Sequence, residues 1–237
     1  MLSFCLHSLL REYGWQFFRH VAAPHPVRTV KAFLRSGRYD FSGDAIATSN
    51  EEPGPTLGGR RSVVGVGFCL KPLNPPCLSG RSNHDCLYFE RLMHSGSSNT
   101  PDCCRQCAIR EIGIMALKAE GAFYIMTSAK DILLDVFAPA LKEGRFVSGL
   151  FLLCRYSLRP FTVGLLASDI RGWLFPFERG DCADYKTWLR ADRGDKDEQT
   201  AFGEQTRKSI RELLDGAAKT PDSGKRFKRQ GNILCPE

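Results

Sequence analysis

The sequence predicts an α/β protein in which helices flank a parallel sheet. Two observations lead to this prediction. Short apolar runs typical of strands alternate with segments whose apolar residues recur at helical spacing. The strand-like runs are apolar at consecutive positions, as strands buried on both faces of a parallel sheet are. A cysteine-rich loop insertion and an N-terminal helical extension complete the predicted architecture.

Residues 1–62 are predicted to form the helical extension and a polar linker. Pro24 and Pro26 separate two helices that end near residue 36. Residues 40–59 are polar and rich in turn formers, which is typical of a linker or a long surface loop. The first helix is expected to dock on the core, and a membrane-surface helix or a transit peptide is the alternative.

The α/β domain is predicted at residues 63–218. Its buried strands are expected at 63–68, 122–126, 147–153 and 172–177. Gly65 and Gly67 lie inside the first of them, so they predict a bend or close packing rather than a phosphate-binding loop, which needs its glycines after the strand.

Helices are expected between and after these strands. The first covers 105–120, and Ser128 with Asp131 forms a capping box for the second. Pro139 is expected to bend the second helix and Gly144 to end it. Pro160 is predicted in the first turn of the next helix. Two further helices are predicted at 184–190 and 198–217, and 219–237 is predicted as a basic flexible tail.

Ten cysteines are the unusual feature of the composition. No secretory signal is recognised, because Arg11 and Glu12 interrupt the apolar start of the chain. The expected compartment is therefore the reducing cytoplasm, where clustered cysteines indicate metal binding or redox chemistry rather than disulfides.

One group of cysteines lies in the loop 71–100 and at the start of the helix after it. Cys104 and Cys107 form a C-x-x-C at a helix start, where the helix dipole favours thiolate. With Cys77 and Cys86 they supply four ligands, enough for zinc or for a four-cysteine iron–sulfur cluster. Cys103 is an alternative to Cys104, and His84 is an alternative to Cys86.

A second group follows the predicted strands. Cys69 and Cys154 each come at the end of a strand, and Cys182 lies in the loop after the last one. Ligands of open parallel sheets bind outside the carboxyl ends of the strands, so these cysteines are expected at the edge where a site would lie. Cys154 and Cys182 are counted as additional metal ligands or substrate-facing thiols.

The cysteine pattern resembles the domain of unknown function 116 family, a group of cysteine-rich bacterial and archaeal proteins. The resemblance covers residues 64–195 and rests on Cys104-x-x-Cys107, on the strand that ends in Cys154, and on Gly180-Asp181-Cys182. It implies a metal centre, with an iron–sulfur cluster as the expected form, on a Rossmann-like sheet, and it implies no reaction. The chain departs from the family pattern at Arg105, in the Cys103–Cys104 doublet and in the long gap between Cys77 and Cys86.

Three functions remain open from the sequence. The first is a metal-binding protein, preferably iron–sulfur, of redox or accessory type. The second is an interaction module in which structural zinc holds the loop and the basic termini contact a partner, for which a protein is favoured over nucleic acid or a membrane surface. The third is a thiol–disulfide enzyme that uses Cys104 and Cys107. No hydrolase is predicted, because Ser157 and Ser168 lack a nucleophile elbow.

Overall fold

The computed structural model describes residues 13–49, 57–93, 100–217 and 226–237. Within these ranges the chain forms a seven-stranded sheet with helices packed on both of its faces. The predicted α/β class is confirmed. The four predicted buried strands are present, with ends that differ from the prediction by one residue at most.

The strands follow one another across the sheet in the order β1-β5-β4-β2-β3-β7-β6. Pairs β3–β2, β2–β4 and β4–β5 are parallel, whereas β1, β7 and β6 are antiparallel to their neighbours. The strands are β1 (Ile46–Thr48), β2 (Ser62–Gly67), β3 (Ala122–Met126), β4 (Ser148–Leu153), β5 (Arg171–Pro176), β6 (Phe227–Gln230) and β7 (Ile233–Pro236).

Two helices precede the first strand, and the others lie between the parallel strands and after the last of them. They are α1 (Gly14–Phe17, continued by the wide turn Phe18–Ala22), α2 (Pro26–Ser36), α3 (Asp102–Arg105), α4 (Ala108–Lys118), α5 (Ala129–Ile132, continued by the wide turn Leu133–Phe137), α6 (Ala138–Glu143), α7 (Arg155–Ser168), α8 (Tyr185–Asp192) and α9 (Glu204–Asp215).

The chain reverses its direction of travel across the sheet between β2 and β4. From β2 it moves to β3 on one side, and it then crosses back to β4 on the other side of β2. Ligand sites of open α/β sheets lie outside the carboxyl ends of the two strands at such a reversal. In this chain those two ends are followed by Cys69 and Cys154.

Alternate residues of each central strand belong to two separate cores. In β2, Val64 and Val66 pack on the side of α4 and α9, whereas Val63 packs on the side of α6 and α7. Gly65 permits this packing, because a Cβ there would lie 2.6 Å from the Phe151 ring. The expectation of close packing at this glycine is confirmed.

Ser128 and Gly144 begin and end their helices as expected, whereas Pro160 does not lie at the expected position. The Ser128 hydroxyl caps α5 by accepting a hydrogen bond from the Asp131 N–H at 3.1 Å, and Gly144 ends α6 with a left-handed φ of 61°. The wide turn Leu133–Phe137 precedes Pro139. The expected position of Pro160 is wrong: α7 begins at Arg155 and Pro160 lies inside it.

Two segments that the sequence predicts as a linker and as a flexible tail contain strands instead. The linker 40–59 contains β1, which pairs with β5, and the C-terminal segment expected to be a flexible tail folds as the hairpin β6–β7 beside β3. The physical reason for the hairpin is side-chain packing: Phe227 is 3% exposed and its ring contacts those of Phe89 and Phe123. Arg229 is also engaged, with Asp85 and Glu90.

The length and the apolar character of the helices show whether any of them could span a membrane. Among the residues described above, no helix is long and apolar enough to cross a bilayer. Residues 1–12, on which part of the predicted N-terminal helix falls, lie outside the described ranges.

The packing of β6 can be tested with Phe227→Ala. Removing the buried ring should lower the free energy of unfolding by about 3–5 kcal/mol, measured by urea denaturation. The matched control is Lys228→Ala on the next, exposed residue, which should change stability by less than about 0.5 kcal/mol. Equal, negligible effects at both positions would show that the segment is not docked on the sheet.

Candidate metal centre and thiol cluster

Five cysteines from separate segments line one small cavity of about 20 Å³. Cys77 and Cys86 come from the loop after β2, Cys103 and Cys104 lie on the short helix α3, and Cys107 caps α4. We call these residues the five-thiol group. The structure therefore brings together Cys77, Cys86, Cys104 and Cys107, together with Cys103, the alternative ligand.

Burial favours the protonated, neutral form of three of these thiols, those of Cys86, Cys104 and Cys107. Burial raises the pKa of Cys86 to about 11, and burial together with Cys103 raises the pKa of Cys104 to about 12. Burial also raises the pKa of Cys107. The expectation that a helix start would favour thiolate is corrected here, because loss of solvent outweighs the dipole of a four-residue helix and of the α4 N-terminus.

Positive side chains surround the five-thiol group. Lys71 is 1% exposed, and its Nζ donates a hydrogen bond to the Asn83 carbonyl at 3.0 Å. The guanidinium of Arg110 lies 4.6 Å from the centre of the Tyr88 ring and donates to the Cys104 carbonyl at 3.4 Å. Burial lowers the pKa of Lys71, and the nearby Cys77 and Cys86 oppose that shift.

Arg81 is the most informative of these cations. Its three side-chain nitrogens are buried and have no hydrogen-bond partner in the described part of the chain. It is close enough to both Cys69 and Cys77 to interact with them electrostatically. Buried charges are normally paired, so an unpaired guanidinium beside thiols indicates that anionic sulfur belongs there.

Cys69, Cys154 and Cys182 form a second cluster, which we call the thiol triad. Cys69 lies in the tight turn Phe68–Leu70 after β2, Cys154 follows β4 and caps α7, and Cys182 follows β5. All three are buried, and their thiols are close enough to shift one another's pKa values. The strand-end argument thus located this cluster, including Cys69, which had not been counted among the ligands.

The triad stabilises one thiolate with two thiol donors. Hydrogen bonds from Cys154 and Cys69 lower the pKa of Cys182 to about 3, and the nearby Lys196 ammonium contributes in the same direction. Correspondingly, the pKa of Cys69 is raised to about 12 and that of Cys154 is raised as well. The three sulfurs together therefore favour one thiolate within the cluster, with Cys182 as the thiol whose pKa is lowered.

An apolar cavity of about 130 Å³ adjoins the triad at the chain reversal. A cavity of similar size in another protein stays dry and takes up benzene, so this volume suits a small apolar group. The wall of this cavity is formed by strand ends, by the starts of α5 and α7 and by aromatic rings. The lining residues include Cys69, Thr127, Ser128, Phe137, Cys154, Tyr156, Ser157, Phe177 and Trp188.

His84 does not face either cysteine cluster. Its Nδ1 lies 2.7 Å from the Ile125 carbonyl, and its Nε2 lies 3.2 Å from the Thr127 hydroxyl. The ring also stacks on Tyr124. Both nitrogens are engaged, so the prediction of His84 as a replacement ligand for Cys86 is not supported by this placement.

The side chains would have to move to hold a metal ion. In the described residues, no group of three or more His, Cys, Asp or Glu side chains is arranged so that it could hold one. The same residues contain nine free cysteines and no disulfide. The eight thiols of the two clusters are therefore chemically available, and ligation requires rotation of their side chains toward a common centre.

Sequence reasoning missed the cations. Lys71 follows Cys69 by two residues and Arg81 lies between Cys77 and Cys86, but neither position forms part of a recognisable motif. Cys235 lines neither cavity: it lies on β7, where its sulfur is 3.6 Å from the Arg145 guanidinium.

Comparisons with known proteins do not add a relative. A scan of protein-family models, a search of curated proteins and a search of solved structures each find no match to this chain. The resemblance to the domain of unknown function 116 family remains a prediction based on the cysteine motifs. Function has to be argued from the two cysteine clusters themselves.

The buried state of Cys86 predicts a pH dependence for metal-free protein. Its pKa of about 11 in the folded chain exceeds the ordinary thiol value of 9.0, so the folded state binds more protons between these pH values. The stabilisation is complete below pH 9 and is lost as the pH rises through 11, by about 2–3 kcal/mol for this shift. Urea denaturation at a series of pH values should show a shallower alkaline loss for Cys86→Ala, and identical slopes would contradict the assignment.

Proposed function

We propose that the chain is a metal-binding protein of redox or accessory type in which Cys77, Cys86, Cys104 and Cys107 hold an iron–sulfur cluster. Cys103 lies beside them as a replacement ligand. The choice of cluster over zinc rests on thiol number, since structural zinc needs four ligands and this region offers five, with the triad nearby. When bound, such a cluster would supply one-electron chemistry or a Lewis-acidic iron.

The buried positive charge is the single observation that carries this proposal. Four thiolates make a metal centre net negative, and Lys71, Arg81 and Arg110 surround the place where that charge would lie. With neutral thiols, Arg81 has buried nitrogens and no partner in the described residues. Ligation replaces the thiol protons by metal and leaves the anionic sulfurs that these cations need.

The thiol triad and the apolar cavity supply the second part of the proposal. Arg81 interacts with both Cys69 and Cys77, so the two cysteine clusters are neighbours. Cys154 and Cys69 line the apolar cavity of about 130 Å³, whereas the five-thiol group lines the small cavity of about 20 Å³. We assign the five-thiol group to the metal and the triad to the ligand-facing side, with Cys154 and Cys182 as substrate-facing thiols or additional ligands.

The setting of the domain is part of this proposal. We take the sheet as Rossmann-like, supported by the parallel order β3-β2-β4-β5 and the reversal next to the triad. We place the protein in the reducing cytoplasm, supported by the nine free cysteines of the described ranges.

Metal analysis tests the proposal directly. Protein purified without oxygen, or reconstituted with iron and sulfide, should contain both and absorb visible light. Cys104→Ala combined with Cys107→Ala should lose the iron, the sulfide and the colour, whereas Cys235→Ala should keep them because Cys235 lies on β7 outside both clusters. Circular dichroism of each variant separates metal loss from unfolding.

Two outcomes would replace the iron–sulfur assignment. One zinc ion per chain with no iron and no colour favours the structural-zinc alternative, which the small volume of the five-thiol cavity already suits. Absence of any stoichiometric metal in a folded protein would rule out both forms and leave the thiol–disulfide alternative. The raised pKa values of Cys104 and Cys107 argue against that alternative, because thiol–disulfide exchange needs a thiolate.

The role of Arg81 gives an independent prediction. Arg81→Met removes the charge and keeps most of the apolar stem, so it should weaken metal retention against a chelator by on the order of ten-fold or more. Arg81→Lys keeps the positive charge and should retain most of the affinity. Equal retention in both variants and the wild type would show that the guanidinium does not balance a metal centre.

A further inference from the structure

Helix α2 packs on the protein body through its small residues. Thr29 is half-buried, Ala32 and Ser36 are buried, and the helix lies against α7. These positions recur at spacings of three and four and so occupy one side of the helix. The opposite half of α2 is directed away from the body.

Apolar side chains occupy much of that outward half. Val27, Val30 and Leu34 are 65%, 59% and 65% exposed, and Phe33 beside them is 54% exposed. In the preceding helical segment, Trp15 and Phe18 are 60% and 53% exposed, with their rings stacked 6.0 Å apart. Single exposed apolar residues are ordinary, but six in two adjacent helical segments indicate a contact surface.

Basic residues run beside the apolar ones. Arg28, Lys31 and Arg35 recur at spacings of three and four along α2, and Arg38 follows just after its C-cap; Arg28, Lys31 and Arg38 are exposed, whereas Arg35 is half-buried. The sequence contains no Asp or Glu from Tyr13 to Tyr39. Within this stretch of sequence the basic residues are therefore not mixed with acidic ones, and the Arg35 guanidinium donates to the Ser49 carbonyl at 3.4 Å.

We propose that α1 and α2 form a docking surface for a membrane that contains anionic phospholipid. The exposed Trp15, Phe18 and Leu34 enter the interface between headgroups and acyl chains, and the basic residues contact the negatively charged headgroups. The helices lie on the surface of the bilayer, in agreement with the absence of a spanning helix in the described ranges.

A lipid surface fits these residues better than other polyanions do. Nucleic acid would account for the arginines and the lysine, but it gives no reason for Val27, Val30 and Leu34 to remain exposed next to them. A bilayer takes up both kinds of side chain at once, with apolar groups below the headgroups and cations at their level. Charge complementarity and the exposed aromatic rings together favour the lipid.

The docking surface continues to the wall of the apolar cavity. Tyr13 lines the cavity, and its ring packs 5.6 Å from that of Phe17 in α1. This helical segment therefore links the proposed lipid-facing side of the molecule to the ligand-facing side. The membrane proposal does not depend on that connection or on the metal centre, since it rests on exposure and charge alone.

Sedimentation of the full chain with vesicles tests the proposal. Binding is expected to phosphatidylcholine vesicles that contain phosphatidylserine, and not to phosphatidylcholine alone. Arg28→Gln combined with Lys31→Gln should lower the partition coefficient by on the order of thirty-fold, since each basic side chain near an anionic surface contributes about a factor of five. Arg179→Gln combined with Arg193→Gln removes the same charge from exposed positions outside α1 and α2 and should bind like the wild type.

The apolar contribution has its own measurement. Phe33→Ser combined with Leu34→Ser should also weaken binding, and the tryptophan emission should shift to shorter wavelength on vesicle addition in the wild type but much less in Trp15→Phe. No binding to the anionic vesicles, or equal loss in the two charge variants, would overturn the proposal. Binding of the same surface to an oligonucleotide or to polyglutamate, without vesicle binding, would overturn it in favour of a different polyanion.

Discussion

The burial of β2 on both faces and along both edges is the constraint on which the rest of the structure depends. A strand in this position is expected to be apolar, and β2 is so from Val63 onward, with Gly65 leaving room for the Phe151 ring. Because β3 and β4 pair with opposite edges of β2, the chain must reverse direction there. The reversal sets the carboxyl ends of β2 and β4 side by side, and this places Cys69 against Cys154.

Electrostatics then separates the cysteines into two kinds. In the five-thiol group, burial raises the pKa values of Cys86, Cys104 and Cys107, while Lys71 and Arg81 bring buried positive charge close to them. In the triad, the interactions between the sulfurs lower the pKa of Cys182 and raise those of Cys69 and Cys154. This difference is the reason for assigning them different roles.

The N-terminal helices and the C-terminal hairpin differ in how their side chains pack against the rest of the protein. Both segments are basic, yet Phe227 is buried and Arg229 is paired with Asp85 and Glu90, so the hairpin is part of the core. Helix α2 instead packs through small side chains, with Arg35 half-buried against Ser49, and leaves Val27, Val30 and Leu34 exposed. Exposed apolar side chains and basic residues therefore occur together on the N-terminal helices, and the membrane-docking proposal is based on this combination.

The sequence by itself determined the α/β class, the four parallel strands and the edge at which Cys154 and Cys182 lie, because apolar runs and strand ends are local patterns. It also grouped Cys77, Cys86, Cys104 and Cys107, although not their raised pKa values, since desolvation depends on neighbours distant in the chain. Only the tertiary structure decided that His84 bonds to Ile125 and Thr127, that Arg81 interacts with a cysteine of each cluster, and that the C-terminal hairpin pairs with β3. These features depend on contacts between residues that are far apart in the sequence. A short polar segment has no hydrophobic periodicity from which its partner could be predicted.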